Sequence, residues 1–103
     1  MVARINQLRI SPAETAAVAQ FGREVFVPGS KAQEGFQAMF ACVNEEGQWI
    51  VVELYDTIEH MRATEAEGWY QQMAEAYGTE HFKGQIRRNV YEVALSEGIP
   101  GKD

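Results

Sequence analysis

The chain has 103 residues and a formal net charge of −6, and hydrophobic residues make up 46% of it. This length fits one domain, and the apolar fraction supports a core without a metal or a disulfide. The acidic balance argues against the broad basic surface that nucleic acids and anionic membranes require, so neither is expected as a partner.

The cysteine and histidine content favours a cytoplasmic protein without a metal. Cys42 is the single cysteine, which excludes an internal disulfide and suits a reducing compartment. We expect Cys42 to be a small core residue in a strand. His60 and His81 lack the spacing of metal ligands, so both are expected to be surface residues. No run of 18 apolar residues occurs, and residues 1–6 lack the apolar run of a signal peptide.

The first part of the chain has the pattern of a strand followed by a helix. Residues 2–10 carry interleaved apolar and polar side chains, which predicts a strand. Ser11 and Glu14 have the spacing of a capping box, and the apolar spacing predicts a helix over 12–25. The segment Val27-Pro28-Gly29-Ser30 is expected to end that helix.

The remaining patterns complete a strand–helix–strand–strand–helix–strand order. They predict a strand over 36–44, a hairpin turn at 44–47, a strand over 48–55, a helix over 56–77 and a strand over 85–95. Asp56 and Glu59 suggest a second capping box, Gly68 a weak point in the helix and Gly78 its end. This order predicts an α+β, ferredoxin-like domain over 1–95 with a four-stranded antiparallel sheet, followed by a flexible tail over 96–103.

Two central strands are apolar on both faces, which predicts a homodimer. On the second strand, alternation places Phe36, Ala38, Phe40 and Cys42 on one face, and Met39, Ala41 and Val43 on the other. Helices can cover only one face of such a sheet, so the other face needs a cover. We expect that cover to be a second copy, packed sheet on sheet.

Asn6 is an unusual residue for the middle of a strand. It is either an edge or solvent-facing residue, or a pocket amide that holds a carbonyl or dioxygen. Arg4 shares its face at two-residue spacing, and Arg4 or Arg88 could supply positive charge to an anionic or phenolate ligand. The aromatic residues Trp49, Tyr55, Trp69, Tyr77 and Phe21 could enclose a flat aromatic ligand, or could simply form core.

Three stretches carry a resemblance to a known family. Together with the element order, Val2-Ala3-Arg4-Ile5-Asn6-Gln7-Leu8, Gly35-Phe36-Gln37 and Trp49-Ile50-Val51-Val52-Glu53-Leu54-Tyr55-Asp56 resemble the antibiotic-biosynthesis monooxygenase family of dimeric α+β barrels. The resemblance extends to about Leu95. It implies a dimeric α+β barrel, in a family that includes cofactor-independent oxygenases of polyphenolic polyketides, heme-degrading monooxygenases and enzymes of small signalling molecules.

Some functional residues of the family have a match in this chain and others do not. Asn6 matches the catalytic asparagine of the heme-degrading branch. The catalytic tryptophan of that branch would fall at Thr64 and its heme-ligating histidine near Met73, so heme binding is possible but disfavoured. Trp69 and His81 could replace them only with a shifted helix register. Other positions also differ from the family pattern. The family often has a tryptophan followed by an acidic residue at the end of the third strand, and this chain has Tyr55-Asp56 there. Thr64 replaces a histidine in the middle of the helix, and Trp69-Tyr70 replaces a histidine followed by an aromatic residue.

These observations favour a monooxygenase that needs no cofactor and acts on a small aromatic molecule, such as a phenol, a hydroquinone or a polyketide. In this hypothesis Asn6 and Arg88 are catalytic. The expected substrate contacts are Arg4, Tyr55, Trp69, Tyr77 and Phe21. A non-catalytic binding or stress-related dimer with the same pocket is the alternative, and a heme-binding or heme-degrading protein is the second alternative.

Overall fold

The computed structural model describes residues 1–66, 68 and 87–98. Its elements are β1 (Val2–Arg9), a 3₁₀ turn (Pro12–Glu14), α1 (Thr15–Phe21), a π-helical turn (Gly22–Phe26), α2 (Val27–Lys31), β2 (Phe36–Val43), β3 (Gln48–Tyr55), α3 (Ile58–Ala66) and β4 (Arg87–Glu92). The sheet order is β2-β3-β1-β4, and every neighbouring pair is antiparallel. This confirms the predicted α+β, ferredoxin-like fold. None of the described helices is long and apolar enough to cross a membrane.

The first helical segment is longer than predicted. The chain stays helical through the π-helical turn and α2 as far as Lys31, so the expected end at Val27-Pro28-Gly29-Ser30 is wrong. Pro28 lies in the first turn of α2, directly after the π-helical turn in which the Val27 N–H donates to the Gly22 carbonyl. Proline is tolerated in the first turn of a helical segment, where its fixed φ suits the helix. The wider π-helical turn before it separates α2 from α1 as a new helical segment.

Both predicted capping boxes differ in the structure. Within the described residues, the Ser11 side chain makes no cap hydrogen bond, and the Glu14 N–H instead donates to the Ser11 carbonyl at 2.9 Å. At α3 the cap lies one residue later than predicted, because the Thr57 hydroxyl accepts from the His60 N–H at 3.2 Å. A threonine oxygen here satisfies an N–H group at the start of the helix, as serine and aspartate do elsewhere.

The β2–β3 hairpin matches the prediction. Gly47 has a φ of 81°, and its N–H donates to the Asn44 carbonyl at 3.1 Å. The Asn44 side-chain oxygen accepts from the N–H groups of Glu46 and Gln48, both at 3.0 Å. A β-carbon at residue 47 would collide with the Ile10 carbonyl, so both the φ angle and the available space require glycine.

Strand register defines two faces of the sheet. The Asn6 face carries residues Val2, Arg4, Asn6, Leu8, Trp49, Val51, Glu53, Tyr55, Arg88, Val90 and Glu92, and the Ile5 face carries the residues between them. On β2, an irregularity between Phe36 and Ala38 pairs Phe36 with Tyr55 but Ala38 with Leu54. Phe36 therefore lies on the Asn6 face and not with Ala38 as predicted, because the extra residue of a bulge reverses the alternation.

The buried hydrophobic cluster lies on the Ile5 face. Its centre is Ala3, Ala38 and Leu54, and the partly buried residues around it are Met1, Ile5, Val52 and Val93. The Asn6 face combines buried polar residues with the buried aromatic residues Trp49 and Tyr55, and α3 packs over it through Met61 and Thr64. The sheet therefore separates an apolar cluster on one side from a mixed polar and aromatic one on the other.

The second predicted helix ends early. α3 stops at Ala66, and Gly68 takes a φ of 78° while its N–H donates to the Glu65 carbonyl at 3.1 Å. A glycine in this left-handed conformation is a common helix terminator, so Gly68 ends the helix that we expected to continue to residue 77. The predicted helix residues beyond it, including Trp69 and Tyr77, lie outside the described residues.

Candidate active site

A buried ion pair lies at the centre of the Asn6 face. Arg4 Nε donates to Glu53 Oε2 at 2.8 Å and Arg4 Nη2 donates to Glu53 Oε1 at 3.0 Å, and both side chains are 0% exposed. β1 and β3 place the two residues directly opposite each other. Arg4 Nη1 also donates to the Thr64 hydroxyl of α3 at 3.0 Å. The two-pronged geometry fixes the orientation of both groups.

Asn6 links this ion pair to Arg88. Its Nδ2 donates to Glu53 Oε2 at a long 3.4 Å, and its Oδ1 accepts from Arg88 Nε at 3.2 Å. The side chain is almost fully buried, at 2% exposure. Because one end of the amide faces a carboxylate and the other a guanidinium, its orientation is determined by charge.

Arg88 connects the buried network to the surface. Its Nη1 lies 2.7 Å from Glu65 Oε1, and the Arg88 and Glu65 side chains are 38% and 34% exposed. The same Glu65 oxygen lies 3.8 Å from Arg4 Nη1. The network therefore runs from a fully buried pair, Arg4 and Glu53, to a half-exposed pair, Arg88 and Glu65.

An aromatic residue borders the network. Tyr55 is fully buried, and the Arg4 guanidinium carbon lies 5.7 Å from the centre of its ring. Phe36 meets Tyr55 edge to face, with ring centres 6.0 Å apart. The bulge in β2 brings Phe36 to this face. The charged network is thus flanked by an apolar wall that keeps water away from the Arg4 side.

Four of the predicted site residues share this face. Arg4, Asn6 and Arg88 belong to one hydrogen-bonded network, and Tyr55 packs against it. Phe21 is half-buried at the end of α1, so its assignment as a substrate contact stays a prediction. Trp69 and Tyr77 lie outside the described residues, so their assignment as substrate contacts stays a prediction.

Glu53 and Glu65 are site residues that the sequence analysis missed. Glu53 lies between Val52 and Leu54 in a strand otherwise rich in apolar residues. Glu65 follows Met61 by four residues, which places it on the same face of the predicted helix as that apolar side chain. In both cases the signal is an acid where the periodicity predicts burial, which requires a buried cation as its partner.

A second polar cluster lies at the start of α3. His60 Nδ1 lies 2.7 Å from Asp56 Oδ1, and His60 Nε2 lies 3.3 Å from Glu34 Oε1. The hydrogen bond to Asp56 raises the pKa of His60, and the same hydrogen bond lowers the pKa of Asp56. His60 was predicted to be a surface residue. In the structure it also links the loop before β2 to the first turn of α3.

Two cavities formed by described residues lie away from Asn6. One of about 440 Å³ opens at the hairpin end of the sheet and is lined by residues such as Arg9, Cys42 and Arg87. A wider one of about 800 Å³ follows the outer surface of α1. Cys42 is exposed, so its prediction as a core residue is wrong: it is paired with Ile50 on β3, but no described residue covers the Ile5 face at this end of β2. The predicted pocket between the helices and Asn6 stays a prediction.

No protein-family model matches the chain, and no curated protein matches it. Several solved structures, in contrast, are similar to this chain. A protein from Deinococcus radiodurans, provisionally named an antibiotic biosynthesis monooxygenase, matches with a TM-score of 0.75 and 17% identity over 98% of this chain and 100% of its own. The chain has the antibiotic-biosynthesis-monooxygenase fold.

Two further structures with this fold have names that state an activity or a bound ligand. A variant of SnoaB, a cofactor-independent oxygenase from Streptomyces nogalater, matches with a TM-score of 0.71 and 14% identity over 95% of this chain and 97% of its own. A variant of MhuD, with two manganese protoporphyrin IX molecules bound per active site, matches with a TM-score of 0.76 and 17% identity over 95% of this chain and 99% of its own. These similarities confirm, at the level of the fold, the resemblance found in the sequence.

Proposed function

We propose that the protein is a cofactor-independent monooxygenase that acts on a small aromatic molecule of the phenol or hydroquinone class. The observation that carries this proposal is the hydrogen-bonded chain from Arg88 through Asn6 to Glu53, on a fold shared with a cofactor-independent oxygenase. It combines an amide of fixed orientation with a partly exposed cation, which is a suitable arrangement for an electron-rich phenol.

The chemistry balances without an added reductant. A hydroquinone that gains one oxygen atom and loses two hydrogen atoms leaves as a hydroxyquinone, and the second oxygen atom leaves as water. The substrate supplies all four electrons that dioxygen accepts. The protein then needs to bind the ring, stabilise the phenolate that transfers the first electron, and exclude water.

The side chains of the network divide these tasks. Arg88 is partly exposed and offers a guanidinium to the phenolate oxygen. The Asn6 Nδ2 group carries two N–H donors, and beside the one that contacts Glu53 at 3.4 Å the other can donate to a substrate carbonyl or to dioxygen without any turn of the amide. Arg4 supports the site through Glu53, because its pairing with that residue holds the carboxylate that orients Asn6.

Oxygen uptake with a panel of hydroquinones tests the proposal. Asn6→Ala is expected to lower the rate by about 100-fold, the typical cost of removing one stabilising donor. Gln20→Ala is the control, since Gln20 is an exposed amide residue on α1, outside both the network and the Ile5 face. Equal rates in the wild type and Asn6→Ala contradict the role of Asn6. Saturable binding of hydroquinones without oxygen uptake supports the alternative of a non-catalytic binding protein.

Heme is not part of this proposal. His60 is the histidine within residues 1–66, 68 and 87–98, and both of its ring nitrogens face carboxylates. The described residues therefore do not fit an axial ligand, and the mechanism includes no step through heme. Adding hemin and recording the Soret band checks this, and a shifted band would favour the heme alternative.

We also propose a cytoplasmic homodimer that packs through the Ile5 face. Ile50 and Tyr91 on this face are 45% and 50% exposed. Among the described strand residues of the face there is no carboxylate, although the chain carries 15 acidic residues. A second copy would remove these apolar side chains from water without burying an acid.

A further inference from the structure

One carboxylate lies between two guanidinium groups at the outer end of the network. Glu65 Oε1 is 2.7 Å from Arg88 Nη1 and 3.8 Å from Arg4 Nη1. Arg4 and Arg88 approach it from neighbouring strands, and Glu65 comes from α3 above them. The position of this oxygen atom is therefore an oxyanion site, formed by the sheet and occupied by the protein's own side chain.

The Glu65 carboxylate is held less firmly than that of Glu53. Glu53 is fully buried and accepts two hydrogen bonds from Arg4, so replacing it would remove both charge-assisted bonds from a buried guanidinium. Glu65 is 34% exposed, and an ion pair with this much exposure contributes little free energy. Glu65 also lies in the last turn of α3, where the helix dipole disfavours a negative charge.

We propose that Glu65 is a displaceable stand-in for the ionised oxygen of the substrate. The ligand class is an aromatic molecule that carries a phenolate or a carboxylate. Its anionic oxygen takes the place of Glu65 Oε1 between Arg88 and Arg4, and the Glu65 side chain turns to solvent. This inference rests on the proposed function, because it assigns the charge of the substrate at that same site.

Charge balance supports the exchange. Among the described residues, the Arg4 guanidinium pairs with Glu53 and the Arg88 guanidinium pairs with Glu65. A neutral aromatic molecule that displaced Glu65 would remove a negative charge from beside the two guanidinium groups. An anionic one supplies that charge again after Glu65 has moved into water, where its carboxylate is solvated at little cost. The network therefore selects anionic aromatic ligands, with Glu65 as a competitor that limits their affinity.

The test compares an anionic probe with a neutral probe of similar size. Benzoate and benzyl alcohol are titrated by calorimetry into the wild type, Glu65→Gln and Glu59→Gln, and the Asn6 side-chain amide signals report the site by NMR. Glu59 is an exposed acid on the first turn of α3, so Glu59→Gln makes the same charge change elsewhere on the helix. Glu65→Gln is expected to increase the affinity for benzoate about 1.5- to 5-fold, because benzoate no longer has to displace an exposed carboxylate from its ion pair with Arg88. Benzyl alcohol binding should not change, and Arg88→Met should abolish benzoate binding.

The outcomes separate this inference from the proposed function. An unchanged affinity for benzoate in Glu65→Gln, an equal change for both probes, or no benzoate binding by any variant overturns the inference. Tighter benzoate binding by Glu65→Gln but not Glu59→Gln supports it, whether or not hydroquinones are oxidised. Oxygen uptake without selectivity for benzoate leaves the oxygenase proposal standing and removes the role of Glu65.

Discussion

Arg4 and Glu53 form a two-pronged ion pair, with distances of 2.8 and 3.0 Å, at two positions where neither side chain meets solvent. Removing two charges from water is costly, and a close pair in the interior only partly offsets that cost. The pair is therefore poorly explained by stability alone. Its hydrogen bond with Asn6 offers another reason for its presence, which is to hold that amide in one orientation.

Breaking the pair from one side should destabilise the protein strongly. Arg4→Met and Glu53→Leu are each expected to lower the free energy of unfolding by about 3–5 kcal/mol, because each removes one member of a buried, hydrogen-bonded ion pair and leaves the other charge buried. Urea unfolding at a fixed protein concentration measures the change.

The double variant separates stability from positioning. Arg4→Met with Glu53→Leu should be far more stable than the sum of the single changes predicts, because no charge is left buried. It should nevertheless lose oxygen uptake, since Asn6 is no longer oriented. If the effects of the two single changes add, Arg4 and Glu53 are not energetically coupled as the structure indicates.

The sequence predicted the sheet well because its signals are local. Alternation along β1 placed Arg4 and Asn6 on one face, and the structure confirms it. Gly47 marked the hairpin turn. The helix boundaries were less predictable: Pro28 was taken as a helix end, yet proline fits the first turn of a new helical segment. The bulge that moves Phe36 to the other face has no local signal in these residues.

The candidate site was only half predictable. Asn6 and Arg88 were found from residue type, but Glu53 was not, because a strand glutamate usually faces solvent. Its burial depends on Arg4, which is 49 positions away along the chain. Such a pairing follows from strand order and register, and neither is visible in a single sequence.

Gly35 should be intolerant of a side chain. Its φ is 82°, and a β-carbon there would collide with Asp56 and with the His60 ring. Gly35→Ala is expected to lower the free energy of unfolding by about 1–3 kcal/mol from the backbone conformation alone. Gly22→Ala is the matched control: it has helical dihedral angles and open space, so it should be neutral or stabilising by about 0.5–1 kcal/mol. Thermal unfolding of the two variants checks the prediction, and equal effects would contradict it.

The contact between His60 and Asp56 should make stability depend on pH. The folded-state pKa of His60 is raised, so its contribution is fully present below the unfolded value of 6.5 and is lost as the pH rises through the folded pKa. The pKa of Asp56 is lowered, so its contribution is present above the unfolded value of 3.8 and is lost as the pH falls through the folded pKa. The contact is thus strongest between these two folded-state values.

NMR titration of the imidazole signals measures the shift directly. The chain has two histidines, and the signal that disappears in His60→Gln identifies His60. Its midpoint should lie above 6.5, and Asp56→Asn should bring it down. A midpoint that does not respond to Asp56→Asn would show that the hydrogen bond does not form in solution.

A charge placed on the Ile5 face should prevent assembly. Ile50 is 45% exposed on this face, and Ile50→Asp would bury a carboxylate in the proposed sheet-on-sheet interface. Analytical ultracentrifugation should find the wild type as a dimer at micromolar concentration and Ile50→Asp as a monomer. Val25→Asp is the control, because Val25 is also an exposed apolar residue, at 38%, but lies in the π-helical turn. That variant should stay dimeric. A monomeric wild type would contradict the proposed dimer, and dissociation by both variants would show that added charge, not this face, controls assembly.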